Sequence, residues 1–141
     1  MDLAAALDFA RGETRSVLVT IRRDGRPQLS NVLHAVFGDG SVRISTTSDR
    51  AKARNLAREP WAALHVTSED FWAYVVIEAD VELTPVAAEP DDPTSDMLVE
   101  HYRAIFGEQD DWPAFRERQV ADRRLLAILR PARAYGMPPR S

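Results

Sequence analysis

No cysteine occurs in the 141 residues. That excludes a disulfide scaffold, a cysteine-ligated zinc site, an iron–sulfur cluster and thiol catalysis. Lysine is almost as scarce. Of the 18 basic residues, all but Lys52 are arginine. No apolar run approaches the roughly 18–20 residues of a membrane-spanning helix. Met1 to Ala10 carries Asp2 and Asp8 and no early basic residue, unlike a secretory leader. A cytoplasmic chain without a membrane partner is expected. A glycine-rich phosphate loop is also missing, since Gly38-Asp-Gly40 reads as a hairpin turn rather than a dinucleotide fingerprint. The histidines, His34, His65 and His101, form no His-x-x-x-His pair. His34 and His65 stand in apolar strand-like segments, where a packed or hydrogen-bonded imidazole is the expectation. Neither a catalytic triad nor a metal site is legible. Asp91-Asp92 and Asp110-Asp111 read as solvated linker acids rather than metal carboxylates.

What is present describes one domain over residues 1–141. The chain is 45% hydrophobic and 28% charged, enough to bury one core. Its net charge of −4 argues against a general nucleic-acid binder. The charge is unevenly spread. Residues 89–111 carry −7, whereas residues 11–58 carry +6. One surface suited to an anion and another merely solvated would produce that split.

The apolar spacing over residues 2–12 predicts a short helix ending near Gly12. Strands are expected at 16–21, 28–37 and 42–47, joined by turns at Asp24-Gly25 and Gly38-Asp-Gly-Ser41, as an antiparallel meander. Residues 48–59 read as a helix, capped by Ser48 or Asp49 and ended by Pro60. Strands at 62–67 and 72–84 follow around a turn at Ser68-Glu-Asp70. After a Pro- and Ala-rich linker, 96–106 and 113–121 read as helices. A last strand spans 125–129, and the tail, with Pro131, Pro138 and Pro139, is expected to be irregular. Six antiparallel strands without βαβ alternation predict a mainly β fold, a small barrel with added helices, because closure removes exposed edges.

Three segments carry chemistry. The first is Thr46-Thr-Ser-Asp-Arg-Ala-Lys-Ala-Arg-Asn55, where a helix starts directly after a strand. Free amides and the positive dipole end favour an anion there. Arg50 and Lys52 stand in the turn where acids are normally preferred. A bound phosphate would turn that cost into a gain, and Thr46, Thr47 and Ser48 add hydroxyls. The second is Gly25-Arg-Pro-Gln-Leu-Ser-Asn31, in which polar side chains interrupt a strand. Gln28 and Ser30 share one face and Asn31 takes the other. Such groups can read the edge of a planar heterocycle. The third is Asp70-Phe-Trp-Ala-Tyr74, which places Trp72 and Tyr74 on one face of a strand start, to stack on a ring or pack at a subunit interface.

Taken in order, Thr20-Ile-Arg-Arg-Asp-Gly-Arg-Pro-Gln-Leu-Ser-Asn31, Arg50-Ala-Lys-Ala-Arg-Asn-Leu56 and Trp72-Ala-Tyr74 resemble the pyridoxamine-phosphate-oxidase-like split β-barrel flavoproteins. They are similar in particular to the short actinobacterial subgroup that binds the deazaflavin coenzyme F420. Asp122-Arg-Arg124 and Ala134-Tyr-Gly-Met-Pro138 resemble that subgroup's ending. The resemblance implies a six-stranded antiparallel split β-barrel of the FMN-binding type, forming a homodimer with two cofactor sites at the subunit interface. It implies that Arg50, Lys52 and Asn55 meet the coenzyme's phosphate, with Thr46 and Thr47 close by. Gln28, Ser30 and Asn31 would lie near the ring and ribityl chain, and Trp72 and Tyr74 would reach over from the partner subunit. The activity implied is hydride transfer between F420H2 and a small organic substrate, with no side chain as catalyst, since position and electrostatics suffice. An FMN-dependent oxidoreductase and a non-catalytic F420-binding protein are the alternatives.

Overall fold

The computed structural model describes residues 1–139. Its strands are β1 (Arg15–Ile21), β2 (Pro27–Val36), β3 (Val42–Thr47), β4 (Trp61–Thr67), β5 (Tyr74–Leu83) and β6 (Arg124–Met137). They close in the order β1-β2-β3-β6-β5-β4, with every neighbouring pair antiparallel. The helices are α1 (Leu3–Arg11), α2 (Ala51–Arg58), α3 (Pro93–Phe106) and α4 (Trp112–Ala121). This is the expected mainly β six-stranded barrel.

The meander forms because the turns suit it. Gly25 takes a φ of 83°, which a side chain would disfavour, and Arg22 and Arg26 close the hairpin across it with a 2.8 Å hydrogen bond. Alternation then sends Leu18, Val32, Val42, Ile44, Leu64, Val66, Val75 and Ile77 inward, where they are buried. Each such side chain contributes about 1.5–3 kcal/mol on full burial. α1 packs against this core through Ala6 and Ala10, whose small side chains permit close approach. Leu56 anchors α2 to the same core.

A second apolar cluster lies outside the barrel. Leu98, Val99 and Phe115 of the α3–α4 hairpin cover Leu126 on the outer side of β6. Asp92 starts α3 by accepting the Ser95 amide at 2.7 Å. It is a helix cap and not a solvated linker acid. The helix therefore begins at Pro93, three residues before the apolar pattern becomes visible, because Pro is favoured in a first turn.

The tail departs furthest from expectation, because residues 130–137 continue β6 instead of being irregular. Pro131 is accommodated at a bulge where the register slips, Ala79 facing Pro131 while Glu78 faces Arg133. Gly136 then pairs with Val75 so closely that a Cβ on it would lie 2.3 Å from the Tyr74 carbonyl oxygen.

Candidate cofactor site

The segment after β3 folds as a short connection into α2. The residue capping α2 is Arg50, not Ser48 or Asp49, and its side chain makes no capping hydrogen bond. The hydroxyls nearby have other partners. Thr47 donates to Asp49 at 2.5 Å, and Ser48 Oγ accepts from Arg123 Nε at 3.3 Å. The first free amides of the helix, those of Ala51 and Lys52, make no backbone hydrogen bond. The first turn contains no acid. Burial pushes the Lys52 ammonium below its ordinary value, and the positive charges of Arg50 and Arg124 push it further. Neither Arg50 nor Lys52 forms an ion pair among the described residues. A helix start with free amides and three mutually repelling cations fits an anion such as a phosphate.

Lys52 stands in the wall of a cavity of about 400 Å³ between β2, α3 and α4. Asn31, Ser45 and Arg124 share that wall. Arg124 Nη1 donates to Ser45 Oγ at 3.1 Å, which holds the guanidinium along the barrel's outer surface. A second cavity of about 440 Å³ opens on the other side of Asn31–Leu33, beside Val17, His65 and Thr67. Asn31 borders both.

The remaining expected site residues are distributed differently. Asn55 is buried in α2, where Nδ2 donates to Gln28 Oε1 at 2.8 Å and to Thr20 Oγ1 at 3.1 Å. Its Oδ1 accepts from Arg58 at 3.1 Å. Asn55 and Gln28 thus meet each other, in a lock that ties α2 to β1 and β2. Thr46 faces the barrel interior beside Ile44, and its buried hydroxyl has no partner. Ser30 is half-buried on the Gln28 face. Trp72 is not in a strand, since β5 begins at Tyr74. It sits in the preceding turn, 76% exposed, edge-on to Phe71 at 5.4 Å. Neither Trp72 nor Tyr74 lines the cavity beside Lys52 within one chain.

His34 is sealed inside, with Nδ1 accepting from Ser16 Oγ at 2.7 Å and Nε2 donating to the Ala10 carbonyl at 2.8 Å. Burial keeps it below its ordinary value and neutral, against the pull of that carbonyl. It joins α1 to the barrel, the packed role expected of a strand histidine. Sequence reasoning missed Ser45 and His101 as cavity residues, because neither lies within a motif. Arg124 carried a signal only as part of Asp122-Arg-Arg124.

The architecture defines a class: six-stranded split β-barrels, here with a cavity on the outer surface beside the basic start of α2. The chain belongs to the pyridoxamine 5'-phosphate oxidase family, whose sequence pattern matches residues 3–137. The family is named for an oxidase, and the fold is oxidoreductase-like. Among solved structures, a protein described as an F420 reductase shares 25% identity and a TM-score of 0.69, covering 91% of this chain and 94% of the other. A conserved hypothetical protein from Mycobacterium tuberculosis shares 23% identity and a TM-score of 0.75, covering 98% and 85%. HutZ, described as a heme storage protein from Vibrio cholerae, shares 16% identity and a TM-score of 0.69, covering 92% and 90%. The last two likenesses concern the fold alone. No helix among the described residues is long and apolar enough to cross a membrane.

Proposed function

We propose that this protein is an F420-dependent oxidoreductase that exchanges a hydride with a small organic substrate. The carrying observation is the cation cluster of Arg50, Lys52 and Arg124, none of them in a close ion pair among the described residues, at a helix start with free amides inside the pyridoxamine 5'-phosphate oxidase family. The coenzyme, when bound, supplies the hydride carbon. The chain's own residues hold and orient it. Lys52, Arg50 and the α2 amides would hold the phosphate, and Asn31, on the outer face of β2, would lie near the ring. Gln28 and Asn55 fix the angle of α2 from behind.

The second half of the site comes from a second copy. Strand register places Asn31, Val17, His65, Val76 and Tyr135 in one row across the outer face of five strands. Leu29, Val19 and Ala63 form the neighbouring row. Leu29 is 61% exposed, and no helix of the same chain covers it. An apolar sheet face of this kind suits a homodimer. The partner's Trp72 and Tyr74 then approach the cofactor cleft.

Side-by-side fluorescence titrations of the purified protein with F420 and FMN test the cofactor. Tighter F420 binding is expected, and a clear FMN preference refutes it in favour of the FMN-dependent alternative, to which the family match also lends itself. Tight F420 binding with no turnover across a broad acceptor panel would instead mark a carrier. Sedimentation should show a dimer, and a monomer at working concentration removes the shared site.

A further inference from the structure

The cavity beside Lys52 has a wall that the cofactor reading does not use. His101 of α3 lines it, is only 7% exposed, and its Nε2 has no hydrogen-bond partner. An orphaned polar atom at that depth is unfavourable unless something else meets it. The wall is mixed, with Leu33, Tyr102, Ile105 and Phe106 on its apolar side and Lys52, Arg118, Asp122 and Arg124 among its polar groups. Burial, and then the charges of Arg124 and Arg43, hold the imidazole neutral at ordinary pH, against a backbone hydrogen bond at Arg43 that favours its proton. A neutral ring offers the Nε2 lone pair as an acceptor, and none of Lys52, Arg118 and Arg124 in the same wall donates to it.

We propose that the His101 side of this cavity, away from Lys52, receives a planar molecule bearing a hydroxyl or ring N–H, and that His101 Nε2 accepts a hydrogen bond from that group. The whole cavity, about 400 Å³, is in the size range of small-molecule sites. The compartment adjoins the cleft of Asn31, so a molecule seated here faces the neighbouring ring site. The identification of this molecule as the hydride acceptor rests on the oxidoreductase reading, whereas its recognition by His101 does not.

The probes are 7-hydroxycoumarin, its hydroxyl kept protonated by mildly acidic buffer, and 7-methoxycoumarin, which cannot donate. Binding to the protein without coenzyme is followed by NMR, with His101 ring signals as the direct readout and the sealed His34 as an unshifted control. The hydroxy probe should bind about five- to tenfold tighter, the worth of one hydrogen bond, and should shift the His101 signals. His101→Leu should abolish the preference, and His101→Gln, which keeps an acceptor, should retain part of it. Equal affinities in the wild type, a preference surviving in His101→Leu, or no binding of either probe overturns the proposal. Because no coenzyme is present, a chain that binds neither F420 nor FMN still reports on this cavity. One that binds coenzyme but neither probe refutes this inference alone.

Discussion

Asn55→Ala separates a structural lock from a phosphate contact. Asn55 makes three side-chain hydrogen bonds, to Gln28 at 2.8 Å and to Thr20 and Arg58 at 3.1 Å each. A net value of about 1 kcal/mol applies to each, and stranding the Thr20 hydroxyl, which is 1% exposed, adds a desolvation penalty. The bonds share one residue and do not add fully. A loss of about 2–4 kcal/mol is expected. In a domain of this size each kcal/mol moves the melting temperature by roughly 3–4 °C, so the variant should melt about 6–15 °C lower. Thr20→Val removes the other partner with little change of shape, and the double variant should reveal a coupling of about 1 kcal/mol. Thermal unfolding followed by circular dichroism measures both. Coenzyme affinity, taken well below the melting temperature, should change less than it does in a Lys52 variant. An unchanged melting temperature together with a tenfold loss of coenzyme affinity would refute the lock and return Asn55 to the phosphate.

Lys52→Ala should weaken coenzyme binding by about 1–3 kcal/mol, as for a lost charge-assisted hydrogen bond, while the melting temperature holds or rises because a repelling cation is gone. Calorimetric titration beside a thermal melt checks both halves. Gly136→Ala should fail to fold or melt far below the wild type, since its Cβ would lie 2.3 Å from the Tyr74 oxygen and 2.8 Å from Val75 Cα at a φ of 148°. A wild-type melt would mean that β6 is not paired to its end. Stability should fall on mild acidification. Both buried imidazoles are held below their ordinary value in the fold, so the unfolded chain takes up protons first as the pH drops. Their contribution is complete above about pH 6.5 and is lost on the way down to the folded value, which is about 4 for His101. His101 alone then accounts for ~3 kcal/mol, at about 1.4 kcal/mol per pH unit. Denaturant unfolding at neutral pH and near pH 4.5 should show His101→Leu less pH-sensitive than the wild type. Asp92 acts in a separate, more acidic window. Burial opposes its charge, but the amides of Ala88, Ser95 and Glu89 outweigh that and draw the carboxyl down to about 2.

The barrel was largely legible because its signals are local. Alternation in residues 16–21 and 42–47, and the Asp24-Gly25 turn, act over a few residues and survive into the fold as β1, β3 and the β1–β2 hairpin. The basic start of α2 was legible for the same reason, since Arg50, Lys52 and the free amides all lie within one turn. Trp72 was misplaced because alternation was extended two residues too far. The turn from Ser68 is closed by the Ala73 carbonyl accepting the Ser68 amide at 2.8 Å, which leaves Trp72 outside β5.

By itself the sequence determined the strand and helix periods, the absence of thiol chemistry, and the concentration of cations where α2 begins. Tertiary structure decided the rest. It extended β6 to Met137, because pairing with β5 outweighs the local preference of Pro131 and Gly136 for irregular chain. It turned Asn55 toward Gln28 and Thr20, residues 27 and 35 positions away. It also brought His101 and Ser45 into the cavity that holds Lys52. Those are contacts between segments distant along the chain. Hydrogen bonding and burial select among the available side chains only after the barrel has closed, and no spacing within a short window encodes that choice.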